Sequence, residues 1–555
     1  MLTGALPAMP LEIMTEGLRR ETRRVREAAE RDTRDALQAG GSRTVAVDIP
    51  EEGVCHVLTR VHFDTGAVDT GPVERARLRW LQHAVAPWLQ RCVGVRGLEK
   101  LIHVLNAALL AEGLATSRVV LPPQNLSGGT LRIKVHWGRI GAVESEPGLV
   151  WQNAFPMAVG QVLDVHDLDQ GIEQMNRLHS RTVAVHVQAG EEPDASVIRI
   201  RSQTAGNRLR GNLTLDNSGV PAIGRTQLRG GFVLDNAVGV NDVLGVQVNT
   251  HVEGRARDRR SQSIGLSYSV PRGNDLFSLN AYATRFAQRV QLSDWSVVSA
   301  ARSHGAELRW ERAVSRNQSS VWRVHGGLSL RRSRGFIDDV EIGVHRRRNT
   351  FAFLGVSHRR VFSRASLDVA LEARKGVGWL GAEADAGRHS HGGMTFRPWV
   401  WMASANLTVP RVVSTVSWRS SLRVQYAGQK MLSLDQFSLG GRSTVRGFDG
   451  ARALAGESGL AWRNEWGWSI GGLPGSANAT PMTAYVALDA GKVWGRSSSV
   501  ALAHGSSAWL AGAALGVRSR WRAVVVDLAV AAPIARPAGF ETARLSPYVS
   551  VSSIF

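Results

Sequence analysis

Apolar and polar residues change rhythm along this chain. From about Arg208 to the C-terminus the period is two. Leu209, Gly211, Leu213 and Leu215 alternate with Arg210, Asn212, Thr214 and Asp216. Leu244, Val246 and Val248 repeat the pattern, as do Phe277, Leu279, Ala281 and Ala283. Near the end, Val524, Val526, Leu528 and Val530 oppose Asp527. A period of two marks a strand with one apolar and one polar face. Many such strands with glycine turns predict a closed membrane barrel, apolar toward lipid and polar toward a wet lumen. Closure follows because an open strand edge finds no partner in hydrocarbon. At about twenty residues per strand and connection, residues 205–555 hold about sixteen antiparallel strands, and spacing alone leaves roughly fourteen or eighteen open.

Upstream the period is helical. Leu78, Leu81, Val85 and Leu89 place one helix over 75–90. Leu98, Leu101, Ile102, Leu105 and Leu109 place a second, stopped by Gly113. Strands over 54–63, 117–121 and 131–135 complete a β-α-α-β-β unit spanning 45–137. A second unit, 138–204, has a strand over 140–143 and a helix over 168–178 with Leu168, Ile172, Met175 and Leu178 inward. Strands over 183–187 and 196–200 follow. The first 44 residues read as a charged helix over 10–38, with Glu16/Arg20, Arg23/Glu27 and Arg31/Asp35 at ion-pair spacing, then a Gly40-Gly41-Ser42 joint. The predicted fold class is therefore α+β domains, then an all-β transmembrane barrel, with an N-terminal helix in front.

Composition sharpens this. The chain has 555 residues with 58 glycines and 17 tryptophans. No run of eighteen apolar residues occurs, which argues against a membrane-spanning helix. The formal charge of +20 comes from arginines scattered through every region. They read as lumen and loop residues, some near lipopolysaccharide phosphates, and no nucleic-acid motif accompanies them. Chemistry is sparse. Cys55 and Cys92 form no Cys-x-x-Cys pair, and His389 and His391 flanking Ser390 make a weak metal set, so no metal is expected. No nucleophile elbow or phosphate-binding glycine loop appears, so neither catalysis nor a cofactor is expected. Met1–Pro10 lacks the basic and apolar segments of a secretory signal, which an outer-membrane protein needs; either the start is misplaced or the signal is omitted.

Short motifs carry a resemblance. Gly440-Gly441-Arg442-Ser443-Thr444-Val445-Arg446-Gly447-Phe448 is a tight glycine-rich loop that aims one arginine, and Asp489 lies downstream in Val486-Ala487-Leu488-Asp489-Ala490-Gly491. Thr116-Ser117-Arg118-Val119-Val120-Leu121-Pro122-Pro123-Gln124 precedes Gly128-Gly129-Thr130-Leu131. Glu173-Gln174-Met175-Asn176-Arg177-Leu178 lies on the helix of the second unit. Asp216-Asn217-Ser218-Gly219, Tyr268-Ser269-Val270-Pro271-Arg272-Gly273 and the terminal Phe555 mark the barrel. Together they resemble the two-partner secretion transporters, the haemolysin secretion/activation protein family, over most of the chain. One departure is Ala189-Gly190 and Ala195-Ser196 where the family often has Pro-Gly and Gly-x-Ser.

The resemblance implies sixteen strands and two POTRA (polypeptide-transport-associated) domains with Arg118, Leu121, Pro122, Gln124, Asn176 and Arg177 as signature residues. It implies a Cys55–Cys92 disulfide, the alternative being two buried thiols. It also implies an inward loop in which Val445, Arg446, Gly447 and Phe448, supported by Gly440 and Gly441, meet Asp489 on the wall. Glu173 and Arg177 read as a surface ion pair. The N-terminal helix is either a lumen plug or a solvated periplasmic segment. The implied function is an outer-membrane pore that recognises a large unfolded exoprotein, a β-helical haemolysin or adhesin, and exports it without nucleotide hydrolysis. Outer-membrane lipid, lipopolysaccharide and the barrel-assembly machinery are the other implied partners, the last reading Phe555. An assembly or insertion factor of the same superfamily is the rival; a passive porin or surface adhesin would not need residues 45–202.

Overall fold

The computed structural model describes residues 50–65, 72–253, 258–291, 294–317, 319–385, 393–413, 415–471, 482–495 and 507–555. The helix expected over 10–38, its joint, and His389, Ser390 and His391 lie outside these residues. The described residues divide into two compact units at Gly206/Asn207, with Arg272–Asn274 grouped with the first.

The first unit holds two α/β modules with the same sheet logic. In the first, β1 (His56–Val57) and β2 (Arg60–Asp64) precede α1 (Pro72–Val85), β3 (Cys92–Val93), α2 (Val95–Ala111), β4 (Arg118–Val120) and β5 (Thr130–His136). β5 is central, parallel to β2 and antiparallel to β4. Its alternate residues Leu131, Ile133 and Val135 are buried beneath Leu101, Leu105 and Leu109 of α2. The single strand expected over 54–63 is broken at Leu58, which turns into the core while its backbone bonds Gln90 and Arg91. The first helix also ends sooner than expected, at Val85. Pro87 removes a helical donor and forces a 3-10 turn over Ala86–Trp88, which drops Trp88 into the core. Cys55 and Cys92 are joined as a disulfide with Cα atoms 5.3 Å apart, beside the β1–β3 pairing.

The second module runs β6 (Arg139–Ser145), α3 (Val165–Met175), β7 (Arg181–Ala189) and β8 (Ala195–Thr204). β8 is central, parallel to β6 and antiparallel to β7. Asp164 caps α3 by accepting from the His166 N–H at 3.0 Å. Leu168, Met175 and Leu178 are buried, and Ile172 packs at their margin. The helix stops three residues before the expected Leu178, because the Asn176 side chain turns to accept the Val183 N–H at 2.7 Å.

The second unit is a closed antiparallel barrel of sixteen strands. They are β9 (Leu209–Asp216), β10 (Gln227–Asp235), β11 (Val243–His251), β12 (Arg260–Arg272), β13 (Asp275–Gln291), β14 (Ser296–Asn317), β15 (Ser320–Ile337), β16 (Val340–Val361), β17 (Ser366–Val377), β18 (Trp399–Val413) and β19 (Val416–Tyr426). A short hairpin of β20 (Phe437–Leu439) and β21 (Leu454–Gly456) then intervenes. β22 (Ser458–Gly471), β23 (Met482–Trp494), β24 (Ser507–Trp521), β25 (Val524–Ala535) and β26 (Ser546–Ile554) complete the ring. β26 closes on β9, and Phe555 and Gly211 exchange both backbone bonds at 2.9 and 2.7 Å. The outer face is apolar: Leu213, Leu279, Leu308, Trp462, Leu488, Leu515 and Val530 are exposed. The inner face is polar and charge-paired. Arg309 Nη2 lies 2.7 Å from Glu372 Oε2, and His325 Nε2 lies 3.0 Å from the same oxygen.

Candidate functional site

The segment between β19 and β22 folds back onto the inner barrel wall. Its apolar residues Phe437, Leu439, Val445, Phe448 and Leu454 are buried against Ala461, Val493, Ala508 and Leu510, the inward residues of β22, β23 and β24. The Phe448 ring meets Phe540 edge-on at 5.8 Å. Thr444 closes the turn: its Oγ1 accepts from the N–H groups of Gly440 and Gly441 at 3.1 and 3.3 Å. Gly440 and Gly447 take φ of +121° and +101°, which side chains resist. Gly441, expected to serve the same purpose, does not: its φ is ordinary and the nearest atom to an added Cβ is 3.8 Å away.

This turn delivers Arg446, only 6% exposed, to Asp489, 3% exposed. The Arg446 backbone N–H and Nε both donate to Asp489 Oδ2, at 2.9 and 2.7 Å, while Nη2 donates to Oδ1 at 2.8 Å. The fork-on-carboxylate geometry fixes direction as well as charge. Nη1 reaches Glu465 Oε2 at 2.8 Å, and Nη2 also donates to the Asn464 carbonyl at 3.0 Å. Asp489 shares its inward face with Tyr485 and Ala487, both buried, while Leu488 points out. Around the pair lie Arg463, with Nε 3.6 Å from Asp489 Oδ2, and Arg518, which joins Glu465 to Asp527. Tyr485 Oη donates to Asp527 at 2.8 Å.

Several contributors lay beyond the sequence reading. Glu465 is a second carboxylate on Arg446. Tyr548 Oη on β26 accepts the Gly447 N–H at 3.0 Å. Gly512 on β24 leaves room for the loop, since a Cβ there would lie 1.8 Å from the Arg446 carbonyl oxygen. A second anchor holds the start of the segment. Asp435 pairs with Arg331 of β15, whose Nη1 also donates to the Leu434 carbonyl at 3.2 Å. The inward segment is thus tied to the wall at β15 as well as at β22–β24. Alternation alone does mark Arg331, Glu465 and Gly512 as inward; nothing local names their partners.

Of the signature residues of the first unit, Gln124, Arg118 and Asn176 are structural linkers. The Gln124 side-chain amide accepts the Arg132 N–H and donates to its carbonyl, both at 2.7 Å. It continues the β4–β5 ladder past Pro122 and Pro123, which lack donors. Arg118 Nη2 reaches Asp194 Oδ1 at 2.9 Å, and His136 Nδ1 reaches Asp194 Oδ2 at 2.7 Å, so one carboxylate ties the two modules. Asn176 fastens α3 to β7 as Asn106 fastens α2 to β4, where Asn106 Oδ1 accepts the Val119 N–H at 2.8 Å. Leu121 is exposed, and no single cluster gathers it with the others. Glu52 caps α2 from a distance, accepting from Gly97 and Arg96 at 2.8 and 3.0 Å; the Gly97 N–H chiefly holds its carboxyl below the usual range. The hydrogen bond that the His166 ring donates to the Asp164 carboxylate raises the His166 pKa. Among the described residues no group of three metal-ligating side chains assembles.

Tandem modules followed by a sixteen-strand barrel with an arginine-anchored inward loop define the POTRA-plus-barrel class of outer-membrane proteins. Residues 194–519 match the haemolysin secretion/activation protein ShlB/FhaC/HecB family. Residues 59–138 match the ShlB-type POTRA domain, and 139–189 match a POTRA domain. The chain is 31% identical to the outer membrane transporter CdiB-2 of Burkholderia pseudomallei (strain 1026b), over 94% of this chain and 91% of the relative. It is 26% identical to the hemolysin transporter protein ShlB of Serratia marcescens, over 87% and 83% of the two chains. Its fold superposes on CdiB from Escherichia coli with a TM-score of 0.82 at 26% identity, covering 98% of each. The chain belongs to the haemolysin secretion/activation protein family, the outer-membrane transporters of two-partner secretion, with POTRA domains in the periplasm and the barrel in the outer membrane.

Proposed function

We propose that the transporter takes one large unfolded exoprotein of the haemolysin or adhesin type from the periplasm and threads it through the lumen. The POTRA sheets end in edge strands, β2 and β4 in one module and β6 and β7 in the other. An unfolded cargo adds a strand to such an edge through main-chain bonds, which tolerates many sequences. The cargo folds outside, as a β-helix, and folding drives export without a nucleotide. Outer-membrane lipid and lipopolysaccharide surround the apolar band, and the barrel-assembly machinery reads the terminal Phe555 during biogenesis.

The observation that carries the reading is the buried Arg446–Asp489 pair. It supports a loop that is held on the wall by a specific, reversible contact, and the role proposed for Arg446 is to set that position rather than to touch cargo. The test is secretion from cells that co-express this chain with a large exoprotein encoded beside its gene, where there is one. Cargo reaches the medium only when the chain is present, and Arg446→Ala inserts as a barrel but secretes poorly. Cargo retained in either case, with other outer-membrane proteins depleted on deletion of this chain, refutes it in favour of an assembly factor.

A further inference from the structure

The outer surface of β13–β16 changes character within a single step. Cross-strand partners on the lipid-facing side form registered rows. One row is Ala281, Ala306, Leu330 and Thr350. Two residues further along every strand, the row is Ala283, His304, Arg332 and Arg348. The next is Arg285, Arg302 and Arg334. These cationic side chains are exposed, on the same face as Leu279, Leu308 and Leu354 of the apolar band. Because the chain enters the barrel from the periplasmic POTRA domains and successive strands are antiparallel, odd-numbered strands of the barrel run from the periplasmic end to the cell surface. The hairpin after the seventh, β15, therefore lies outside, and the basic rows stand where outer-leaflet headgroups begin.

Aligned like charges on neighbouring strands repel. Their own surroundings do little to relieve it. Among the described residues no carboxylate lies within ion-pair distance of Arg285, Arg302, Arg332, Arg334 or Arg348. Three nearby acids are engaged elsewhere: Glu341 pairs with Arg346 at 2.8 Å, Asp258 with Arg289 at 2.8 Å, and Asp338 accepts the Val298 N–H at 2.8 Å; Glu383, whose N–H donates to the Arg348 carbonyl at 3.0 Å, forms no ion pair with the rows. Arg302 is steadied over the Phe336 ring at 4.9 Å. A cavity of about 140 Å³ opens among His304, Arg332, Ser333, Arg334 and Arg346–Arg348.

We infer that this face binds the phosphates of a phosphorylated glycolipid of the outer leaflet, the lipid A part of lipopolysaccharide, with its acyl chains along Leu308, Leu330 and Leu354. Guanidinium forks match phosphate oxygens, and the apolar rows below match the chains. The inference rests on the outer-membrane placement and adds a defined site to the lipopolysaccharide contact proposed above.

The test titrates the purified full-length transporter in detergent with bisphosphorylated lipid A and with its dephosphorylated form. Variants are Arg302→Gln/Arg332→Gln/Arg348→Gln, the same three as Arg→Lys, and Arg520→Gln/Arg522→Gln at the opposite rim. The glutamine triple weakens bisphosphorylated lipid A by about tenfold or more, to the level of the dephosphorylated lipid; the lysine triple, which keeps the charge and loses the fork, falls between it and the parent, and the opposite-rim variant stays within about threefold of the parent. Parent-like binding by the glutamine triple overturns the inference, as does equal binding of the dephosphorylated lipid. Displacement by millimolar inorganic phosphate overturns it in favour of a free-anion site. A glutamine triple that keeps lipid A but loses export overturns it in favour of contact with the exported chain. Heat-modifiable gel mobility reports barrel folding separately, so a failed site and a failed outer-membrane reading are distinguishable.

Discussion

Replacing Arg446 with alanine should release the inward loop without unfolding the barrel. The substitution removes four side-chain bonds, two to Asp489, one to Glu465 and one to the Asn464 carbonyl. It leaves two carboxylates on a wall where Asp489 is 3% exposed. Breaking a buried pair from one side costs about 3–5 kcal/mol. Arg463 and Arg518 remain within 3.6 and 3.4 Å of the orphaned carboxylates, which puts this case at the low end. About 3 kcal/mol changes the ratio of docked to released loop by a factor of about 160. Val445, 0% exposed beside Arg446, supplies the assay. In a Val445→Cys background a small maleimide labels only the released loop, and the native cysteines are paired. The labelling rate should rise about a hundredfold on adding Arg446→Ala, with heat-modifiable mobility unchanged. An unchanged labelling rate would refute the claim that this ion pair holds the loop.

Four further outcomes are expected. Gly512→Ala should release the loop as Arg446→Ala does, because the new Cβ would lie 1.8 Å from the Arg446 carbonyl oxygen, whereas Gly441→Ala should label like the parent. Arg331→Met, at the second anchor, should expose residues 433–435 to protease while Val445→Cys stays protected. Cys55→Ser/Cys92→Ser should destabilise the first POTRA domain by about 2–4 kcal/mol in denaturant unfolding read by protease sensitivity, with barrel mobility unchanged. His166 has its folded pKa raised by Asp164, so its contribution is complete below the unfolded value, about 6.5, and is lost as pH rises through the folded value. Hydrogen exchange at the start of α3, corrected for intrinsic rates, should therefore show more protection at pH 6 than at pH 8, and His166→Gln should abolish the difference.

Alternation was the most legible feature, because a barrel wall forces every second residue to lipid. Leu209, Leu213 and Leu215 were assigned outward from sequence and are exposed there. The helical faces of the POTRA domains were equally plain, since Leu101, Leu105 and Leu109 repeat at helix spacing. Helix and strand ends were less so. The Leu58 break and the 3-10 turn at Pro87 depend on what the core admits. Arg446 and Asp489 stood out because the Val445-Arg446-Gly447-Phe448 run and the strand around Asp489 resemble the family's loop and wall partner. Alternation marks Glu465 and Gly512 as inward, but no local rule names them, or Tyr548, as partners of the loop. They belong to other strands, and only barrel closure brings β26 and β24 to the loop. Asp435 and Arg331 are 104 positions apart, and their pairing exists only because the segment folds back inward.

The claim most in need of a direct test is that exported protein passes through this lumen. A photo-crosslinking residue at Arg419, on the inner face in register with Glu465, should capture the co-expressed exoprotein in transit. The same residue at Trp462, 49% exposed on the outer face, should not. Capture at Arg419 alone is the predicted result. Capture at neither position, while cargo still reaches the medium, would contradict passage through the barrel.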